Sequence, residues 1–261
     1  MTTPERGIAW SDEVIRASRL DTVHDHAGEP DIDRLVELVE PHGDDIVFDF
    51  VTGLGHVARA IAPHVDKVHA YDPDAELLKE AEKLTEASNL KNITFVNGTL
   101  IDLKLPDKSY DIITARLAIR HLLDASGLLK QAFRILKPSG RLVLSDTLAP
   151  SQSDLADFQA NLMELRDPSH VQSYAISEFE IIFEREKFDI DVIEIYPMAY
   201  DFESWAKRLG ASNENVRMLA RTLQNAGDRV KRHFRVVEQG GKLISFVTWM
   251  IMIVASPAPE R

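Results

Sequence analysis

The sequence predicts an α/β fold, a doubly wound and mostly parallel seven-stranded sheet whose last strand is antiparallel. Two observations lead to this prediction. Short apolar runs alternate with helical patterns through the first 150 residues, which is the rhythm of repeated βαβ units. The first run ends in a Gly-x-Gly turn that leads directly into a helical pattern. A chain of 261 residues, 44% of them apolar, is long enough to bury one large core.

The first half of the chain supplies five strands and the helices between them. The predicted strands are 46–49, Lys67–Asp72, Ile93–Asn97, Tyr110–Arg116 and 141–146. The predicted helices are 32–39, 57–62, Ala75–Ala87 and 128–136. Asp31 is expected to cap the first of these helices, since short acidic side chains accept the free N–H groups at a helix start.

The second half completes the sheet and adds helices. Helices are predicted at 154–166 and 178–185, the second opened by a capping box of Ser177 and Glu180. A strand at 188–196 is followed by a helical insert at 202–209 and 214–229, and the turn at Gly240-Gly241 leads into a final strand at 243–254. One domain is expected, with a cap segment at 1–30 that contains a short helix near 13–20, a ligand-binding core at 31–150, and a helical cap within 151–261.

The composition of the chain argues against several classes of binding partner. Acidic residues outnumber basic ones 42 to 30, and a net charge of -12 disfavours nucleic acid. With no cysteine, the chain has no disulfide, thiolate nucleophile or cysteine metal site, and its histidines are too scattered to predict a metal. The N-terminus has no signal-peptide pattern, and the apolar run 243–254 is too short to span a membrane. We therefore expect a soluble cytoplasmic protein with a small-molecule partner, and homodimerisation stays open.

The turn after the first strand is the first candidate site. Asp49 ends an apolar run, Gly53 and Gly55 follow, and Asp72 ends the next strand about 20 residues later. A carboxylate in that place accepts both ribose hydroxyls and repels a ribose phosphate, which favours an adenosyl or NAD-like ligand. The alternative is that Asp72 is an ordinary strand-end or helix-cap aspartate.

Five ordered blocks make the prediction more specific. They are Asp-Phe-Val-Thr-Gly-Leu-Gly-His at 49–56, Val-His-Ala-Tyr-Asp-Pro at 68–73, and the blocks at 95–99, 105–113 and 134–141. In order and spacing they resemble the class I, Rossmann-like S-adenosylmethionine-dependent methyltransferases, most closely the small-molecule branch that includes the ubiquinone/menaquinone C-methyltransferases. The resemblance covers about 31–150 and extends loosely over 165–171. An NAD-dependent oxidoreductase is the weaker alternative, because the later blocks do not belong to that pattern.

The resemblance implies an S-adenosylmethionine cofactor, with S-adenosylhomocysteine as product, and methyl transfer to carbon, oxygen or nitrogen of a small acceptor. It implies these cofactor-binding residues: Asp49, Val51, Gly53 and Gly55 at the methionine, Asp72 and Pro73 at the ribose, Gly98, Thr99 and Leu100 at the adenine, and Arg116 and Leu117 at the sulfonium. Val51, Leu54 and Thr99 depart from the family pattern, which leaves open a protein that binds the cofactor without transferring methyl groups.

The acceptor side is less defined by the sequence. His121 follows the fourth strand and is the first candidate for an acid or base, with packing or capping of the next helix as the alternative. Arg166, His170 and Tyr174 lie in the insert expected to cover the acceptor, although Arg166 is equally suited to a structural salt bridge. Trp205 is interpreted as packing within the cap rather than as a stacking platform.

Overall fold

The computed structural model describes residues 30–98, 103–207 and 212–259. Its strands are β1 (Ile46–Phe50), β2 (Lys67–Asp72), β3 (Ile93–Asn97), β4 (Tyr110–Arg116), β5 (Leu136–Thr147), β6 (Phe188–Asp201), β7 (Val237–Gln239) and β8 (Lys242–Pro257). Its α-helices are α1 (Pro30–Val39), α2 (His56–Ile61), α3 (Ala75–Ala87), α4 (Ala125–Ile135), α5 (Ser153–Arg166), α6 (Ile176–Arg185), α7 (Phe202–Lys207), α8 (Asn213–Gln224) and α9 (Asp228–His233). Two 3₁₀ turns occupy Ala62–His64 and Ile119–His121.

The strands form one sheet in the order β3-β2-β1-β4-β5-β8-β6. The pairs among β3, β2, β1, β4 and β5 are parallel, and β8 runs antiparallel to both β5 and β6. The predicted doubly wound sheet with an antiparallel last strand is confirmed. A short additional strand, β7, pairs with β8 through a hairpin whose two glycines, Gly240 and Gly241, have φ angles of 57° and 75°.

Alternate residues of the strands fill two cores, one on each face of the sheet. Phe48, Phe50 and Leu144 belong to the core packed by α4 and α6, and all three are fully buried. Val47 and Val143 belong to the core packed by α1 and α2. Helices on both faces keep the parallel strands out of water, as parallel sheets require.

A third core lies within the segment predicted to form the cap. Leu162 of α5, Trp205 of α7, Leu219 of α8 and Phe246 of β8 pack together and are buried. The rings of Trp205 and Phe246 meet edge to face with centroids 4.7 Å apart. The interpretation of Trp205 as cap packing is confirmed.

Two predicted helix caps are wrong. Asp31 lies inside α1, which begins at Pro30, and its carboxylate pairs with Arg116 instead of capping the helix. Helix α6 begins at Ile176, before Ser177, and the Glu178 carboxylate accepts the N–H of Ala175 at 2.7 Å. The local Ser177–Glu180 spacing therefore placed the helix cap two residues too late, because Glu178 bonds to Ala175 instead.

Other boundaries moved by a few residues. The predicted helix 214–229 is two helices, α8 and α9, and β6 and β8 extend beyond the predicted strands because they pair with each other from Phe188↔Pro257 to Asp201↔Ser245. The helices expected near 13–20 and through 208–209 fall wholly or partly outside the described residues. No helix in the described ranges is long and apolar enough to cross a membrane.

Candidate functional site at the carboxyl edge of the sheet

The candidate site lies where β1, β2 and β4 end. Strand β1 has β2 on one side and β4 on the other. The connection after β1 therefore runs to one side of it, and the later connection to β4 runs to the other. The loops that follow diverging strands leave a crevice at the carboxyl edge, where open α/β sheets bind their ligands. All predicted cofactor residues that the structure describes lie in the segments at this edge.

The loop after β1 turns sharply through left-handed backbone conformations. Val51, Gly53 and Gly55 have φ angles of 55°, 55° and 77°. The Thr52 N–H donates to the Tyr71 carbonyl at 2.8 Å, which ties this loop to β2. Glycine adopts such angles without a steric cost, whereas a β-branched valine does so only under strain. The loop is therefore strained at Val51 and relaxed at the two glycines.

Asp49 is buried beneath this loop. Its carboxylate accepts the Thr114 hydroxyl at 2.6 Å and the Thr52 hydroxyl at 2.5 Å. Burial raises the pKa of Asp49 to about 6, and the two hydroxyl bonds oppose that rise. Asp49 is thus a desolvated carboxylate whose oxygens already hold the loop and β4 in place.

Asp72 is the second buried carboxylate of the site, at the end of β2. It accepts the Gly53 N–H and the Asp74 N–H, each at 2.9 Å. Burial raises its pKa to about 7, the two backbone bonds oppose the rise, and the nearby Asp74 and Asp49 charges add to it. The carboxylate predicted for the ribose is therefore fully enclosed and bonded to the glycine loop.

The predicted adenine side is described only in part. Gly98 has a φ of 146°, and its carbonyl accepts the Tyr71 hydroxyl at 3.1 Å. The Asn97 amide donates to the Asp72 and Pro73 carbonyls, both at 3.1 Å, and so fixes the start of the β3 loop beside β2. Thr99 and Leu100 lie outside the described residues.

Arg116 forms a buried ion pair at the end of β4. Its Nε and Nη2 donate to the two oxygens of Asp31 at 2.7 and 3.1 Å, and the Arg116 side chain is 8% exposed. Leu117, the next residue, has a φ of 55°, and its N–H donates to the Ser145 carbonyl at 2.7 Å. Helix α1 is thereby fixed to the loop that follows β4.

Sequence reasoning missed three residues of this region. Asp31 was interpreted as a helix cap, and neither Ser145 nor Tyr196 was singled out. The Tyr196 hydroxyl lies 3.0 Å from the Ser145 hydroxyl, and burial raises the pKa of Tyr196 well above its usual value. Tyr196 belongs to β6, far from β4 in sequence, so no local pattern indicated that it joins this edge.

His121 lies in the 3₁₀ turn after β4 and is buried. Its Nδ1 is 3.1 Å from the Ser169 hydroxyl, and its Nε2 accepts from Arg120 Nε at 3.1 Å. It does not cap α4, whose start is capped by the Asp124 carboxylate. The structure therefore joins His121 to the predicted acceptor-covering segment.

The other three predicted acceptor residues separate into two groups. Tyr174 is buried beside the end of β5, where its carbonyl accepts the Ala149 N–H at 2.9 Å. His170 lies in the same segment, and its ring is 3.3 Å from the Ser173 hydroxyl. Arg166 instead lies in the cap, 4.6 Å from the centre of the Trp205 ring, with Nε donating to the Trp205 carbonyl at 3.1 Å. Only the first two share the segment that His121 contacts.

A cavity of about 480 Å³ opens beside α6. Its lining is mostly apolar and is drawn from the β5–α5 loop, the first turn of α6, β6, α9 and β8. It includes none of the predicted cofactor or acceptor residues. Within the described ranges, no group of three or more histidine, aspartate or glutamate side chains is placed to hold a metal ion.

The chain is similar to known methyltransferases. The chain matches the family described as "Methyltransferase domain" over residues 48–144. It is 31% identical over 224 residues to the uncharacterised methyltransferase YcgJ of Bacillus subtilis (strain 168), covering 85% of this chain and 88% of that protein. The demethylmenaquinone methyltransferase of Thermotoga maritima is 35% identical over 121 residues, covering 45% of this chain and 50% of that protein.

Solved structures share the fold. The crystal structure of YcgJ superposes with a TM-score of 0.83 at 30% identity, covering 88% of this chain and 98% of that one. Geranyl diphosphate C-methyltransferase from Streptomyces coelicolor A3(2), solved with Mg²⁺, geranyl diphosphate and S-adenosyl-L-homocysteine, superposes with a TM-score of 0.60 at 12% identity, covering 88% of this chain and 79% of that one. The second likeness concerns the fold alone.

Proposed function

Because the chain belongs to the class I S-adenosylmethionine-dependent methyltransferases, we propose that it methylates a small organic acceptor at carbon, oxygen or nitrogen. The enzyme class and the cofactor follow from the family. The size class of the acceptor and the roles of individual residues are the proposal, and they are argued from the arrangement at the carboxyl edge.

The residues present at this edge fit the cofactor. Asp72 ends β2, next to the glycine loop, where a carboxylate accepts ribose hydroxyls. Asp49 and the Gly53–Gly55 turn would receive the methionine part, and Gly98, with Thr99 and Leu100 beyond it, the adenine. Two buried carboxylates favour a ligand that carries a cationic sulfonium and disfavour a phosphorylated ribose. Arg116, neutralised by Asp31, adds little repulsion toward that cation.

The contact between the segment 167–174 and the turn after β4 supports a small acceptor. The Val171 and Gln172 N–H groups donate to the Arg120 carbonyl at 2.9 and 3.3 Å, so the segment carrying His170 and Tyr174 lies against the turn after β4. A segment in this position would cover an acceptor bound beside the loop at Leu117, and we expect such a covered site to take a small molecule rather than a folded macromolecule. The net charge of -12 also disfavours nucleic acid.

The bound cofactor would supply an electrophilic methyl group, and the chain would supply position and exclusion of water. Methyl transfer is an in-line displacement, so a closed wall that aligns the acceptor lowers the barrier through proximity and orientation. The loops after β1 and β4 would fix the cofactor side of that line. The segment at His170 and Tyr174 would fix the acceptor side. A base is needed only where the acceptor must lose a proton.

The alternative of a protein that binds the cofactor without methyl transfer rested on Val51, Leu54 and Thr99. The family and the relatives favour methyl transfer over it. Val51 lies in the loop with φ 55°, so its bulk strains the loop without removing either carboxylate from the edge.

Incubation with S-adenosylmethionine carrying a radiolabelled methyl group, together with a cell extract, tests the proposal. The extract is divided beforehand into a small-metabolite fraction and a macromolecular fraction. We expect label to enter a product in the small-metabolite fraction and S-adenosylhomocysteine to accumulate with it. Label found only in protein or nucleic acid would contradict a small acceptor. Asp72→Asn is the matched variant, and it should abolish most of the incorporation.

A further inference from the structure

We infer that His121 is a positioning residue: as a neutral imidazole with its proton on Nδ1, it holds the segment 167–174 against the turn after β4. Its significance for the reaction rests on the proposed function, in which this segment faces the acceptor. The inference itself concerns the proton and the hydrogen bonds of His121, which can be measured without knowing the acceptor.

The bonds around Nδ1 place a proton there. Nδ1 is 3.1 Å from the Ser169 hydroxyl oxygen and 3.3 Å from the Ser169 carbonyl oxygen. The Ser169 hydroxyl donates its only hydrogen to the Asp167 carboxylate, at 2.6 Å. The Ser169 hydroxyl and carbonyl oxygens are therefore both acceptors toward Nδ1, since a carbonyl oxygen never donates. Nδ1 must carry the hydrogen that these bonds share.

The bond at Nε2 leaves that nitrogen without a proton. Arg120 Nε donates to it at 3.1 Å, and a guanidinium has no acceptor atom. A proton on Nε2 would point at the Arg120 N–H and lose this bond. The two sides of the ring thus select one neutral tautomer, fixed by its neighbours.

The charges that face the ring come from three elements. Arg120, on the same turn, is cationic and disfavours a charged imidazole. Asp146, at the end of β5, attracts Arg120 and would favour a charged His121, and it accepts the Arg120 N–H at 3.2 Å. Burial raises the pKa of Asp146, which weakens its pull toward a charged imidazole. Asp167, on the covering segment, has its Oδ1 bound to both the Ser169 hydroxyl and the Ser169 N–H.

These contacts hold the turn after β4 and the segment 167–174 together. The same turn that carries His121 also accepts Val171 and Gln172 through the Arg120 carbonyl. The His121 side chain adds a hydrogen bond to Ser169, which lies two residues before Val171. This turn begins two residues after Leu117, so the same short stretch of chain carries a predicted cofactor residue and the contacts to the segment 167–174. His121 acting as a base would have to give up Arg120, and with it this geometry.

The tautomer is measured first, on the wild-type full chain without cofactor. Long-range ¹H–¹⁵N correlation spectra at pH 7 report which ring nitrogen carries hydrogen, and the His121→Asn spectrum assigns the signals. We expect a neutral ring protonated on Nδ1. A ring protonated on Nε2, or on both nitrogens, would overturn the inference. Failure to bind S-adenosylhomocysteine would count against the proposed function and leave this result standing.

Amide hydrogen exchange then tests the tie to the segment 167–174. Asparagine keeps a donor at the distance of Nδ1 and glutamine one at the distance of Nε2, so His121→Asn should preserve protection and His121→Gln should lose it. Exchange should be roughly five- to tenfold faster in Ser169→Ala and His121→Gln, about the effect of one buried hydrogen bond. Ser173→Ala, in the same segment, is the control and should change exchange less than about twofold. Unchanged protection in His121→Gln would contradict the role.

Discussion

The Asp72 carboxylate accepts the Gly53 N–H at 2.9 Å, so the acidic residue that ends β2 is bonded to the glycine loop that follows β1. Both groups belong to the proposed cofactor site. Because Asp72 is fully buried and its pKa is raised to about 7, its charge is sensitive to pH near neutrality. The same contact therefore holds the loop in shape and favours the ionised form of the carboxylate that we propose for the ribose.

The first prediction concerns the pH dependence of ligand binding. Ribose hydroxyls donate to an ionised carboxylate, so the bound state should lower the pKa of Asp72 below its free value of about 7. Binding then weakens as pH falls through 7, because a proton must leave Asp72 first. We expect the affinity for 5′-methylthioadenosine, which has no titratable amino group, to rise about tenfold from pH 6 to pH 8. Calorimetry at several pH values measures it.

The control for this prediction is an exposed carboxylate on the neighbouring helix. Glu80→Gln, at a surface ion pair with Lys83, should leave the pH dependence unchanged, whereas Asp72→Asn should remove it. An equally steep pH dependence in Asp72→Asn would assign the proton to another group, such as Asp49, whose pKa is about 6.

The second prediction uses the strain at Val51. With φ at 55°, any residue bearing a Cβ pays a cost that glycine avoids. Val51→Gly should therefore be more stable than Val51→Ala by about 1 kcal/mol, although alanine keeps more of the side-chain contact. At an ordinary backbone angle, alanine would be the more stable of the two. Urea unfolding of the two variants side by side decides the order, and a more stable alanine variant would refute the strained loop.

The third prediction concerns the buried pair of Asp31 and Arg116, which fixes α1 to the end of β4. Asp31→Leu removes the carboxylate that accepts two hydrogen bonds from this buried guanidinium, so it should lower the free energy of unfolding by about 3–5 kcal/mol. Combining it with Arg116→Leu should restore part of that loss, since neither charge remains. Glu76→Gln, in the exposed pair with Lys79, should cost less than about 1 kcal/mol. A double variant no more stable than the single Asp31 variant would contradict the pairing.

The fourth prediction distinguishes a structural Arg166 from an acceptor contact. Its planar guanidinium stacks on Trp205 and bonds to the Trp205 carbonyl, a combination that lysine does not reproduce. Arg166→Lys should therefore destabilise the protein by roughly 1–2 kcal/mol. Trp205 should also become more exposed to quenchers of fluorescence. Wild-type stability in this variant would favour a role at the acceptor instead.

Much of the fold was predictable because the strands of a parallel sheet are short apolar runs with turns between them. Strands β2, β3 and β4 and helix α3 match the predicted bounds. The glycine loop and Asp72 were predictable for a related reason, since their spacing in the chain follows from one βαβ unit. The sequence pattern therefore predicts those contacts whose residues lie close together in the chain.

The missed contacts join residues far apart in the chain. Asp31 has the pattern of a helix cap, and only its pairing with Arg116, 85 residues away, shows its use. Ser169 meets His121 across 48 residues, and nothing near either residue indicates the partner. The extra length of β6 and β8 arises from their mutual pairing, which neither segment displays by itself.

A calorimetric titration of the full chain with S-adenosylhomocysteine at pH 8, repeated with Asp72→Asn, tests the proposed cofactor site directly. One molecule should bind per chain, and the variant should bind at least about tenfold more weakly, since it loses a charge-assisted acceptor for the ribose. Glu80→Gln should match the wild type. Absence of binding to the wild type, or equal affinity in Asp72→Asn, would contradict a cofactor site built on Asp72 and the glycine loop.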